Sequence, residues 1–223
     1  MPHTVESSAL RKTAKGLGFS ASLLAAVLAL SFAALAILFS PPEWTGIEAY
    51  AESINLMQML NMIPVIFLTF TVIAVVACVH YLAPESKRVY SLIALALSSA
   101  YAAIICTNYY LQLFVVRLNL YSGDLEGIAL LAMPNLHSVF FALETIGYAF
   151  LSVATFFLLP VITGGGLQKW IRLFLLLSGG TGIFGAVVAV FDQPVLIFAG
   201  LGIWSLSFPL AMILLSIHFR RAT

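Results

Sequence analysis

Long apolar runs alternate with short polar segments along the whole chain. Each run is long enough, as an α-helix, to cross a hydrocarbon core about 30 Å thick, which takes about 20 residues. Residues 1–16 are polar and predict a separate N-terminal segment, whereas residues 17–223 predict a single domain. The pattern predicts an all-α integral membrane bundle of six transmembrane helices, at about residues 17–40, 55–82, 89–118, 134–160, 170–190 and 195–219.

The amino-acid composition also indicates a membrane protein. Of the 223 residues, 62% are hydrophobic and 9% are charged, whereas soluble domains carry about 25% charged residues. We therefore expect the lipid bilayer as the main partner and no sizeable soluble domain. No basic stripe or nucleic-acid-binding motif is present, so a nucleic-acid partner is not expected.

The first run has a basic flank, which is also typical of a secretory signal. Its apolar part extends from Leu17 to Ser40, about 24 residues, whereas the core of a signal peptide is about 7 to 15 residues long. The length favours an uncleaved first helix.

Charge predicts the orientation of the bundle, because lysine and arginine favour the cytoplasmic side of a membrane. In a six-span arrangement, nine of the ten basic residues fall on one side and only Arg117 falls on the other. Six of the nine acids lie opposite the basic side. Both termini are therefore predicted to be cytoplasmic. The nine basic residues are Arg11, Lys12, Lys15, Lys87, Arg88, Lys169, Arg172, Arg220 and Arg221.

The fourth run, Pro134 to Pro160, carries one acid near its middle, Glu144. On insertion scales, placing an acidic side chain at the bilayer centre costs about 2.5 to 3.5 kcal/mol of free energy. Such residues therefore usually face protein or water and serve a function. Taking 1.5 Å per residue, we expect Glu144 about 15 Å below the outer end of its helix.

Polar residues on neighbouring spans come to similar or shallower depths. Together they predict a polar pocket that opens outward between the second, third and fourth spans and binds a small or amphipathic ligand, as a transporter or a sensor would. The competing hypothesis is that these side chains only hydrogen-bond between helices. The candidate ligand-binding residues are Glu144, His137, Tyr148, Asn108, Gln112, Asn61 and Arg117.

Two alternative functions remain. In the fifth span Ser178, Gly182 and Ala186 are four residues apart, a spacing that lets helices pack closely in lipid. This favours a scaffold or complex subunit, or a homo-oligomer through that helix. The other alternative is an intramembrane enzyme with Glu144 and His137 as acid and base.

Signatures of known chemistry are missing from the sequence. There is no HExxH, P-loop, CxxC or GxSxG motif, so an enzyme is not favoured and no metal or cofactor is expected. His80 and His218, both at predicted cytoplasmic helix ends, are an alternative axial pair for haem. Cys78 and Cys106 fall at different depths, so they are not expected to form a disulfide.

The last three apolar runs also resemble segments of known proteins. The stretches NLHSVFFALETIGYAFL, GLQKWIRLFLLLSG and GLGIWSLSFPLAMILL resemble those of bacterial multi-pass membrane proteins to which no activity is assigned. The resemblance covers about the last 90 residues of the chain. It implies a fold of about six helices and a location in the bacterial inner (plasma) membrane, and it implies no activity.

Overall fold

The computed structural model describes residues 2–40 and 43–221, with side chains from residue 8 onward. Within these residues the regular structure is helical and no strand is formed. The α-helices are α1 (Pro2–Leu38), α2 (Ile47–Ser53), α3 (Leu56–Leu60), α4 (Ile63–Leu82), α5 (Arg88–Leu111), α6 (Arg117–Ser122), α7 (Val139–Leu158), α8 (Leu167–Val190) and α9 (Pro194–Arg221). A π-helical segment, Gln112–Val116, joins α5 to α6.

In the described part of the chain, six helical segments are long and apolar enough to cross a membrane, which confirms the all-α prediction and the number of candidate spans. They are Ser8–Leu38, Leu56–Leu82, Glu85–Ser122, Val139–Leu158, Leu167–Val190 and Pro194–Arg221.

The long helices form a closed ring in chain order. Each packs against the next one, from α1 through α4, α5, α7 and α8 to α9, and α9 packs back against α1. The centre of the ring is filled by apolar side chains such as Val75, Leu175, Phe208 and Met212. The void among them measures only about 10 Å³, roughly the space of one water molecule. The middle of the bundle is therefore a packed core.

One end of the ring, the basic end, brings together α1 near Gly18, the end of α9 and two turns. Gly18 of α1 lies against the ring of Phe219 in α9. The Lys87 Nζ donates a hydrogen bond to the carbonyl oxygen of Pro160 at 2.6 Å, which joins the turn before α5 to the turn after α7. The opposite end, the acidic end, carries the segments 43–54, 123–138 and 191–193, with six of the nine acids.

Three boundaries differ from the predicted ones. Helix α7 begins at Val139, because the Ser138 hydroxyl accepts a hydrogen bond from the Phe141 backbone at 3.1 Å and caps the helix there. The second span is interrupted between α3 and α4, just before Pro64. The N-terminal segment is helical from Pro2 and continues into the first span.

Small residues of α8 pack inside the chain. Ser178 is buried, and a side chain added at Gly182 would meet the Ser152 hydroxyl and, at 3.2 Å, the Tyr148 carbonyl oxygen of α7. This part of the small-residue motif therefore serves the α7–α8 contact. An additional role in a homo-oligomer stays a prediction.

Candidate functional site

Glu144 lies in the second turn of α7 and is held by two neighbours on α5. The Tyr109 hydroxyl donates a hydrogen bond to Glu144 Oε1 at 2.8 Å. The Asn108 amide donates to the Phe140 carbonyl oxygen at 3.0 Å and makes a longer contact, 3.5 Å, with Glu144 Oε2. Both carboxyl oxygens thus face hydrogen-bond donors.

The Glu144 side chain points into the bundle and still keeps accessible surface. Ala142 and Ile146, which flank it by two residues, are exposed on the outer face of α7, and two residues turn a helix by about 200°. Glu144 is therefore directed to the opposite, inward face. Asn108 and Tyr109 are fully buried, whereas Glu144 is only half-buried. Glu144 therefore keeps more accessible surface than the two residues that hold it.

Gln112 ties the segment 123–138 over the acidic end of the bundle. Its amide donates to the Leu131 carbonyl oxygen at 2.7 Å, and its side-chain oxygen accepts from the Met133 backbone at 3.1 Å. Gln112 is the first residue of the π-helical segment, one turn beyond Asn108. Segments of this kind are frequent at functional sites.

Aromatic rings pack together one turn before and one turn after Glu144 along α7. The Tyr109 ring packs edge-on against Phe140, with centroids 5.4 Å apart. Deeper in the bundle, Tyr148 packs edge-on against Tyr101 at 5.5 Å and against Trp204 at 5.1 Å. Tyr148, which the sequence places in the pocket, therefore belongs to an aromatic cluster one turn below Glu144.

Asn61 and Arg117 lie at the same end, and among the described residues neither forms a hydrogen bond with Glu144. Asn61 is buried at the break between α3 and α4, and within the described part of the chain its side-chain oxygen has no partner. Arg117 donates to the Leu113 carbonyl oxygen in its own helix, at 2.9 Å. The regular spacing of Asn55 and Gln58 has a local cause, because the two residues form the capping box of α3.

His137 is directed away from the site. It precedes α7, its side chain is 77% exposed, and its Nε2 lies 3.2 Å from the Asp192 carboxylate. The His137–Glu144 pair on which the enzyme hypothesis depends is therefore not formed.

The two candidate haem ligands contact different helices. His80 Nδ1 lies 2.9 Å from the Ser91 hydroxyl of α5, and His218 Nδ1 lies 3.4 Å from the Gln168 amide of α8. Each imidazole is thus engaged by its own neighbour. Both cysteines are free, and Cys106 lies 3.0 Å from the Thr69 hydroxyl.

Tyr109 is the site residue that sequence analysis did not identify. It adjoins Asn108 in the chain and carries a hydroxyl, which when buried usually finds a hydrogen-bond partner. That signal was available in the sequence, but tyrosines are also common at membrane interfaces. Only the rotation of α5 against α7 shows which tyrosine meets the acid.

Compared with known proteins, the chain matches no protein-family model, no curated protein and no solved structure. The function is therefore argued from the geometry of the site.

Proposed function

We propose that this chain is a multi-pass membrane protein, with both termini cytoplasmic, that binds a small or amphipathic ligand beside Glu144 from the outer side. The observation that carries the proposal is the inward-facing and partly accessible Glu144 carboxyl group, which is held by donors on α5 near the acidic end of the bundle. Glu144 is the one acid between residues 127 and 191. Placing a carboxyl group inside the membrane costs more free energy than placing a neutral polar group there, so a contact that only joins two helices does not require one.

The surroundings of the site favour a particular class of ligand. In the described structure no lysine or arginine forms an ion pair with Glu144, so the carboxyl group is left to a ligand that donates hydrogen bonds or carries positive charge. The rings of Tyr109, Phe140 and Tyr148 make the neighbourhood of the carboxyl group apolar, which suits a ligand with an apolar part. A small amine or alcohol with an apolar part has both properties.

Access from outside is testable with introduced cysteines. In a background with Cys78→Ala and Cys106→Ala, we expect Glu144→Cys to react with a membrane-impermeant thiol reagent added to intact cells. Two further variants calibrate the measurement. Ile146→Cys lies on the outer face of the same helix and is expected in lipid, where it does not react. Gly123→Cys, in the loop after α6, is expected to react freely.

The outcome separates the proposal from the scaffold hypothesis. If the bundle is filled around position 144, Glu144→Cys will be as unreactive as Ile146→Cys, and the pocket is refuted. If Gly123→Cys is also unreactive, the predicted orientation is wrong instead. A flux assay in proteoliposomes then distinguishes a transporter from a sensor.

A further inference from the structure

A partly open cavity lies at the basic end of the bundle, whereas Glu144 lies toward the acidic end. The cavity measures about 280 Å³ and is lined by Leu167 and Gln168 at the start of α8 and by His218 and Arg221 at the end of α9. Since the void of about 10 Å³ at the centre of the bundle has room for roughly one water molecule, this cavity has room for a much larger group.

Three side chains with hydrogen-bond donors converge on this cavity. The Gln168 amide and His218 are within 3.4 Å of each other and brace α8 against α9. Arg221 brings a guanidinium group, whose planar fork suits phosphate oxygens. Within the described residues no carboxylate lies close enough to Arg221 to form an ion pair. The cavity is therefore positively charged and has no acid of its own among those residues.

The neighbourhood adds to this charge. Lys169 and Arg172 follow in the first turns of α8, and Arg172 donates to the Gly164 carbonyl oxygen at 3.3 Å, which holds the preceding turn in place. The start of α8 also directs the positive end of its helix dipole toward the cavity. Leu167 supplies an apolar wall beside these polar groups.

We propose that this cavity binds a phosphate group, supplied by the headgroup of an anionic phospholipid. The chemistry follows from Arg221, His218 and Gln168, and the lipid source follows from the position at the basic end, where basic pockets between membrane helices bind anionic headgroups. The proposal rests on the membrane insertion proposed above. It uses none of the residues around Glu144, so the two proposals fail in different experiments.

The test is a titration of the purified, delipidated full-length protein in a non-ionic detergent. Phosphatidylglycerol, phosphatidylcholine or inorganic phosphate is added, and the shift of the thermal unfolding midpoint is measured, because a ligand that binds the folded state raises this midpoint. We expect phosphatidylglycerol to stabilise the protein at a lower concentration than phosphatidylcholine does.

Arg220 provides a matched control, because like Arg221 it is exposed and carries a positive charge, but it does not line the cavity. Arg221→Ala is expected to raise the half-saturating concentration of phosphatidylglycerol by about tenfold, as for the loss of a charge-assisted hydrogen bond. Arg220→Ala is expected to raise it by less than about threefold, since it loses only general surface attraction. Gln168→Leu, which keeps the volume and removes the donor, is expected to fall between them.

Equal weakening by Arg220→Ala and Arg221→Ala would overturn the proposal, since it would show only attraction to a charged surface. Equal stabilisation by the two lipids would overturn it as well. If inorganic phosphate saturates the site and cancels the lipid effect, the phosphate site stands and its source is the free anion.

Discussion

The hydrogen bond between Tyr109 and Glu144 gives the sharpest test of the site. Leucine at position 144 leaves the Tyr109 hydroxyl buried, 1% exposed and without its acceptor. An unsatisfied buried donor costs about 1 to 3 kcal/mol, whereas replacing both partners by apolar groups is nearly neutral. We therefore expect Glu144→Leu to destabilise the protein, and the addition of Tyr109→Phe to Glu144→Leu to restore stability.

The expected coupling energy between Tyr109 and Glu144 follows from measured energies of hydrogen bonds in membranes and from the geometry of this bond. Interhelical hydrogen bonds in membranes couple by about 0.6 kcal/mol on average and by at most about 1.7 kcal/mol. The short distance of 2.8 Å and the carboxyl acceptor place this bond toward the upper end. We expect a coupling energy of about 1.5 kcal/mol in a double-mutant cycle.

The assay is equilibrium unfolding in mixed detergent micelles, followed by circular dichroism, for the wild type, both single variants and the double variant. Tyr110→Phe is the matched control, because Tyr110 is 58% exposed and stacks on Phe114. It should change the free energy of unfolding by less than about 0.5 kcal/mol. Additive single-variant effects, or a double variant less stable than Glu144→Leu, would refute the bond as a contributor to stability.

Three further predictions concern topology, packing and the cysteines. Cysteines introduced at Glu48, Gly123 and Gln193, at the acidic end, should react with an impermeant thiol reagent added outside intact cells. A cysteine introduced at Gly166, in a turn at the basic end, should not react. Ala222 is also predicted to lie inside, but it falls outside the described residues. Gly182→Ala should lower the free energy of unfolding by about 1 to 3 kcal/mol, because its methyl group meets Ser152, whereas Gly185→Ala, which has open space, should be neutral or stabilising in the same unfolding assay. Non-reducing electrophoresis should show no bridge between Cys78 and Cys106, both of which are free.

Hydropathy was enough to predict the six candidate spans, because the length and apolarity of a run are properties of the run itself. It did not predict where α7 begins. Pro134 marks the start of the apolar run, but the Ser138 cap, four residues later, sets the first helical turn. Glu144 consequently lies only about 8 Å from the start of its helix, by the rise of 1.5 Å per residue.

The contacts between polar side chains were harder to predict from the sequence than the spans were. Partners depend on how each helix is rotated against its neighbours, and hydropathy carries no such information. Thus Asn108 does approach Glu144, whereas His137 pairs with Asp192 across the acidic end. Gln112 has the predicted depth, but its amide is used to hold the segment 123–138. The π-helical segment that positions Gln112 has no signature in the sequence.

The shallow position of Glu144 bears on how the site works. Burial of a charged or polar side chain costs less near the membrane surface than at its centre. A site in the second turn of α7 therefore suits exchange with the solution at the acidic end, which we propose to be the outer side. Below it the bundle is closed by Val75, Leu175, Phe208 and Met212. A sensor needs no further opening, whereas a transporter must displace Phe208 and Met212. Pro209 lies between these two residues and lacks a backbone donor, so this turn of α9 has one helical hydrogen bond fewer. Transport, if the flux assay detects it, should therefore depend on movement of α9 at Pro209.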